Sequence, residues 1–224
     1  MSAIWPDVRT IRKSHPKLRR FATILCPGAK VVRVNSYKTL RPIGLCYWNV
    51  DELVRNYGGE AVYGWQFFIW PKRYIEAMHH AVWRTPDGKL FDVTEKYPTD
   101  TIKDHSIFLE DDSISVELTK PMFIQSRYFP LNKHPEIDAF ISAYQKKNAL
   151  EQAQAALAYE YGYRNQGQFA KAKGGTFDIN SIDFSSDFYK QLEPIKAEFN
   201  QVLSEVGSTI NAIKRLDAKD KLKR

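Results

Sequence analysis

Three strand-like runs crowd the middle of the chain: AVYGWQFFIW (61–70), YIEAMHHAVWRT (74–85) and KLFDVTEKY (89–97). Their aromatic and β-branched residues favour extended backbone. The last two are separated by Pro86-Asp87-Gly88, a tight-turn signal between β-rich segments. This spacing predicts an antiparallel hairpin, in which side chains of adjacent runs meet when they share a face. AKVVRV (29–34) and FIQSRYFPL (123–131) read as further strands.

Upstream of the hairpin, CYWNVDELVRNYG opens at Cys46 and reads as a helix. Val50, Leu53 and Val54 fall at helical spacing, and Gly58-Gly59 ends it as a C-cap pair. Residues 8–25 read as a polar helical arm interrupted near Pro16. After about residue 133 the character changes. Residues 134–164 are Ala- and Gln-rich and read as a helix with Pro135 in its first turn. Residues 165–186 are a Gly-, Ser- and Asn-rich loop. From about Asp187 an apolar stripe of Phe188, Leu192, Ile195, Phe199, Val202, Val206, Ile210 and Ile213 marks a long helix, with Pro194 in its first turn or kinking it. The expected organisation is a core over 1–133 with a basic N-terminal arm, then a helical region over 134–224. That region forms a coiled coil or folds back on the core, and its stripe offers a docking or self-association surface.

Hydrophobic residues make up 43% of the 224, enough for a core without disulfides. Two cysteines, Cys26 and Cys46, are too few for a disulfide scaffold and point to a reducing compartment. No apolar run reaches the roughly 20 residues that span a bilayer, and the charged N-terminus lacks a secretion signal. A cytoplasmic protein with no membrane segment is expected. The net charge of +7 is concentrated in the first fifty residues, where ten Lys and Arg face Asp7 alone. Such a surface reads first as a solvated basic face; it can also meet an acidic partner or nucleic acid, although no nucleic-acid motif accompanies it.

Chemistry points to Cys46, His80 and Asp92. A thiol is a useful nucleophile only as thiolate, which a helix N-terminus and a nearby imidazole both favour. Cys46 sits where a loop becomes a helix, His80 lies in a rigid β-rich run, and Asp92 lies just past the tight turn. Cys46 would attack an acyl carbon, His80 would take and return the proton, and Asp92 would hold the imidazole tautomer. The Cys46 backbone N–H supplies one oxyanion donor, with Trp65 and Gln66 as candidates for the second.

The neighbouring residues have plainer readings. Cys26 reads as a small buried hydrophobe. His79 points away from His80 on a strand and reads as a surface or packing residue. Asp87 serves its turn, Asn49 and Asp51 support the helix start, and most of the aromatic residues pack the core, with one or two walling an acyl cleft. The spacing Glu76-x-x-His79-His80 matches no helical zinc motif, so neither metal nor cofactor is expected.

The string His80-Ala-Val-Trp-Arg-Thr-Pro-Asp-Gly-Lys-Leu-Phe-Asp92-Val-Thr resembles the His-strand and Asp-strand hairpin of transglutaminase-like proteins. There a histidine followed by Ala and an aromatic precedes an Asp-x-Thr. The order Cys, His, Asp behind a helix-opening cysteine is that of the wider papain-like superfamily. Cys46-x-x-Asn-Val, Gly58-Gly59, Gly64-Trp65, Glu76-x-x-x-His80-Ala-Val-Trp and Asp92-Val-Thr together are similar to small uncharacterised bacterial and phage proteins. The resemblance spans about residues 40–97. It implies an α+β fold with a papain-like, transglutaminase-like core, a helix packed on an antiparallel sheet, followed by the helical C-terminal region. The implied activity is cysteine-dependent acyl transfer on a protein or peptide-like amide, as an amide hydrolase, deamidase or transamidase. The alternative is a non-catalytic interaction module with a vestigial triad, since the superfamily holds both kinds.

Overall fold

The computed structural model describes residues 5–222. In chain order the elements are β1 (Arg9–Thr10), α1 (Leu18–Leu25), β2 (Val31–Arg41), α2 (Cys46–Tyr57), β3 (Glu60–Trp70), β4 (Tyr74–Arg84) and β5 (Leu90–Thr94). They continue as β6 (His105–Glu110), β7 (Arg127–Pro130), α3 (Pro135–Glu160), α4 (Gln166–Ala172) and α5 (Ser186–Leu222), with a 3₁₀ turn at Ile179–Ser181. The class is α+β. No helix among the described residues is long and apolar enough to cross a membrane.

β3 and β4 form a hairpin paired from Glu60↔Arg84 to Trp70↔Tyr74. The remaining pairings run β3–β6–β2–β5–β4, so the β3–β4 contact closes a five-stranded barrel. β1 extends it at β3, and β7 extends it at β4. The antiparallel expectation needs one correction, because β2 and β5 run parallel. Between them the chain makes α2 and the β3–β4 hairpin, a crossover long enough to bring β5 back beside β2 in the same direction.

Four strands fill the barrel with Val34, Val62, Val82 and Phe108, and the fifth adds Leu90. Closure demands close backbone approach at Gly64, which pairs with both His80 and Glu110. A Cβ there would lie 2.0 Å from the Leu109 carbonyl oxygen, so no other residue fits without parting the strands.

The N-terminal arm is less helical than its sequence suggests. Arg9–Thr10 pairs with β3, and helix begins only at Leu18, beyond Pro16. α1 turns Leu18, Phe21 and Ala22 onto the outer face of the barrel. β6, HSIFLE, carries no strand signal because both its faces are buried and the usual alternation is lost. α4 likewise lies within a segment whose composition reads as loop.

The C-terminal stripe is used inside the chain. Val202, Val206, Ile210 and Ile213 of α5 share one core cluster with Phe140 of α3 and Trp70 of β3. Pro194 lies inside the helix, within its third turn. The far end of α5 is clamped to the β3–β4 turn by Arg73, which is 1% exposed. Its Nε donates to Asp217 Oδ1 at 2.8 Å, its Nη2 donates to Asp220 Oδ2 at 2.8 Å, and Trp70 Nε1 donates to Asp217 Oδ2 at 2.7 Å. Arg73→Ala removes the buried cation and is expected to cost about 3 kcal/mol. Amide exchange over residues 213–222 should accelerate with it, and unchanged exchange there would refute the clamp.

Glu76 is buried beside Tyr74, Tyr97, Tyr128 and Tyr144, with Tyr128 Oη donating to its Oε1 at 3.3 Å. Burial outweighs the hydrogen bonds from Ser126 and Tyr128 and pushes its pKa up to about 7. The folded state therefore holds this proton more tightly than the unfolded chain, and stability declines as pH rises from the ordinary glutamate value towards 7. Glu76→Gln should remove a loss of about 3 kcal/mol across that window. Denaturant unfolding at pH 5 and pH 8 should show the variant gaining stability over wild type only at the higher pH.

Candidate active site

The loop before α2 turns at Gly44, whose φ is 80°, and Cys46 begins the helix. α2 seats Val50 and Leu53 against Ala81, Trp83 and Val93 on the outer barrel face. Asn49 is fully buried and staples the helix start. Its Nδ2 donates to the Pro42 carbonyl at 2.9 Å and to Thr94 Oγ1 at 3.0 Å. The first backbone N–H groups of α2 have no partner within the helix, which leaves polarised donors around the thiol.

β4 and β5 pair at Trp83↔Phe91 and Arg84↔Leu90, next to the turn at residues 85–89. In this register His80 and Asp92 share the face that looks into the barrel. His80 Nε2 is 2.9 Å from Asp92 Oδ1. Asp92 is wholly buried, and four donors surround it. Oδ1 also accepts the Thr94 N–H at 3.2 Å, while Oδ2 accepts Gln66 Nε2 at 3.2 Å and the Ser106 hydroxyl. Burial raises the Asp92 pKa, but the imidazole, Ser106 and Thr94 overcome it and hold the carboxyl below its ordinary value.

His80 experiences the reverse balance. Burial alone would lower its pKa, yet Asp92 and then Cys46 raise it well above the ordinary imidazole value. Nδ1 has no nitrogen or oxygen partner among the described residues, and Cys46 raises the His80 pKa both by its charge and as a hydrogen-bond partner. The ring is thus fixed with Nε2 towards the carboxylate and with Cys46 as its other electrostatic partner. All three sequence-derived residues come together.

Alternation sends His79 to the opposite face. It is buried, shares a hydrogen bond between Nδ1 and Tyr47 Oη at 2.8 Å, and packs edge-on to Trp65 with centroids 5.1 Å apart. Burial, followed by the charge of His80, pushes its pKa down to about 4, so it stays neutral. Trp65 donates its indole N–H to Asp111 Oδ2 at 2.8 Å. Gln66 lies inside the barrel and spends its amide hydrogens on Asp92 and on Ser106 Oγ, the latter at 2.8 Å. As arranged, neither has an N–H left for an oxyanion, and Gln66 instead positions Asp92. Cys26 packs with the outer apolar cluster, and burial, then Asp111 and Asp112, push its thiol up. Asp87 bonds Thr85 and Lys89 within its turn. Asp51 pairs with Arg55 one turn on at 2.8 Å.

Sequence reading missed Ser106, because the strand that carries it was unrecognised. The only available signal was one hydroxyl beside the apolar triplet Ile107-Phe108-Leu109. Among the described residues no group of three or more His, Cys, Asp or Glu is arranged to hold a metal ion.

A raised folded pKa means that His80 adds stability fully present below pH 6.5 and lost as pH climbs through its folded value. Asp92→Asn should abolish that contribution and leave the imidazole neutral at pH 7. NMR titration of the His80 ring reads this directly: protonated through pH 8 in wild type, neutral in the variant. An unchanged titration would refute the coupling. No protein-family model, curated protein or solved structure matches the chain, so the chemistry rests on this geometry.

Proposed function

We propose that the chain is a cysteine-dependent acyl-transfer enzyme with a papain-like, transglutaminase-like core, acting on a peptide-like amide through an acyl-cysteine intermediate. The observation that carries this reading is the His80 ring, anchored on one side by the buried Asp92 carboxylate and coupled on the other to Cys46 at the start of α2. In the proposed cycle His80 already holds the proton as imidazolium beside the Cys46 thiolate, and the sulfur attacks the carbonyl carbon. The negative oxygen is met by the free N–H groups of the first turn of α2. His80 then protonates the leaving nitrogen, the C–N bond breaks, and a thioester remains. Deacylation reverses the roles: His80 removes a proton from water or an amine, which attacks the thioester and returns the sulfur to its starting form. Water makes the enzyme a hydrolase or deamidase, and an amine makes it a transamidase.

The test needs no substrate. At pH 6.5, iodoacetamide should alkylate Cys46 at least about tenfold faster than Cys26, and His80→Ala should slow Cys46 by a similar factor. Peptide mass mapping over time measures both rates. Equal, slow labelling of the two cysteines would overturn the enzyme reading in favour of a non-catalytic interaction module.

A further inference from the structure

A groove of ≈ 490 Å³ lies between the end of β2, the last turns of α2 and the end of α4. Four cations line it, Lys38, Arg41, Lys171 and Lys173, and no carboxylate does, in a chain with 26 Asp and Glu. Among the described residues none of the four pairs with an acid. The lysines are exposed, and Arg41 is held by its bond to the Ala172 carbonyl. Tyr57, 62% exposed, adds an open aromatic ring. Basic residues on a solvated surface are ordinarily dispersed among acids. Here they converge on one concavity.

A second groove of ≈ 420 Å³ adjoins the first through Lys171, which lines both. Its other lining residues are uncharged, among them Tyr163, Gln168, Thr176 and Phe177, and it reaches Leu45, the residue before Cys46. A nucleic-acid backbone would need cations along its whole path. A peptide with acidic residues at one end and neutral residues at the reacting amide fits the two grooves in order.

We propose that these grooves bind an acidic peptide segment, its carboxylates between Lys38, Arg41, Lys171 and Lys173, and its neutral part leading to Cys46. This names the substrate class of the site above and rests on Cys46 being the nucleophile.

The test uses the full chain with Cys46→Ala and a fluorescein-labelled peptide carrying a neutral half followed by a run of glutamates, read by anisotropy. Binding should be at least about tenfold weaker at 500 mM than at 50 mM NaCl. It should weaken at least about tenfold again in Lys171→Glu/Lys173→Glu. An all-neutral peptide should bind no better than that variant. In the wild-type chain the acidic peptide should slow iodoacetamide alkylation of Cys46 at least about fivefold. No charge-dependent binding, tighter binding of a single-stranded oligonucleotide of equal length, or binding without protection of Cys46 would each overturn the proposal. If the peptide binds while Cys46 proves inert in the unliganded alkylation assay, the nucleophile reading fails and the groove stands as a peptide site alone.

Discussion

An ionised carboxylate inside a barrel otherwise filled with Val34, Val62, Val82 and Phe108 is the constraint around which the rest is arranged. Removing a carboxylate from water costs several kcal/mol unless its lone pairs are met. Asp92 is met by His80 from β4, Gln66 from β3, Ser106 from β6 and the Thr94 N–H of its own strand. Four of the five barrel strands thus converge on one anion. The network ties barrel closure to the orientation of the imidazole, because a strand that slipped would leave the charge unsatisfied. Gly64 contributes from the other side by letting β3 approach β6 closely enough for Gln66 and Ser106 to reach their acceptor.

The position of α2 follows from the same barrel. The β4–β5 pairing lies next to their connecting turn, and the helix start comes against the two strands through Asn49–Thr94 and Tyr47–His79. A buried side-chain amide and a tyrosine hydroxyl therefore place the thiol beside a ring that the lumen already holds. Neither His79 nor Trp65 points into the lumen, because alternation along β3 and β4 commits both to the outer face, where they pack and bond to Tyr47 and Asp111.

At the other end of the molecule two buried ionisable groups act in opposite senses. Arg73 is fully paired and clamps α5 to the β3–β4 turn. Glu76 sits among tyrosines with too few donors, so the fold prefers it protonated. The contrast between Glu76 and Asp92, both buried carboxyls on strands, is one of donor supply: one faces hydroxyls alone, the other an imidazolium as well.

Local rules made a good part of this legible from sequence. The tight turn at Pro86-Asp87-Gly88, the helix opening at Cys46 and the helices on either side of the 165–186 segment were readable because turn chemistry and apolar periodicity act over a few residues. Parity along one strand was enough to send His79 and His80 to opposite faces, whereas the shared face of His80 and Asp92 waited on the pairing register. What only the tertiary structure decided depends on which distant strands become neighbours. The closure of β3 on β4, the parallel entry of β5 beside β2, the Ser106 and Gln66 donors, the Asp217 and Asp220 partners of Arg73, and the basic groove all join residues far apart in the chain. A single hydroxyl or aspartate carries no local pattern that betrays its partner, since its value comes from desolvation, and desolvation exists only once the strands have closed.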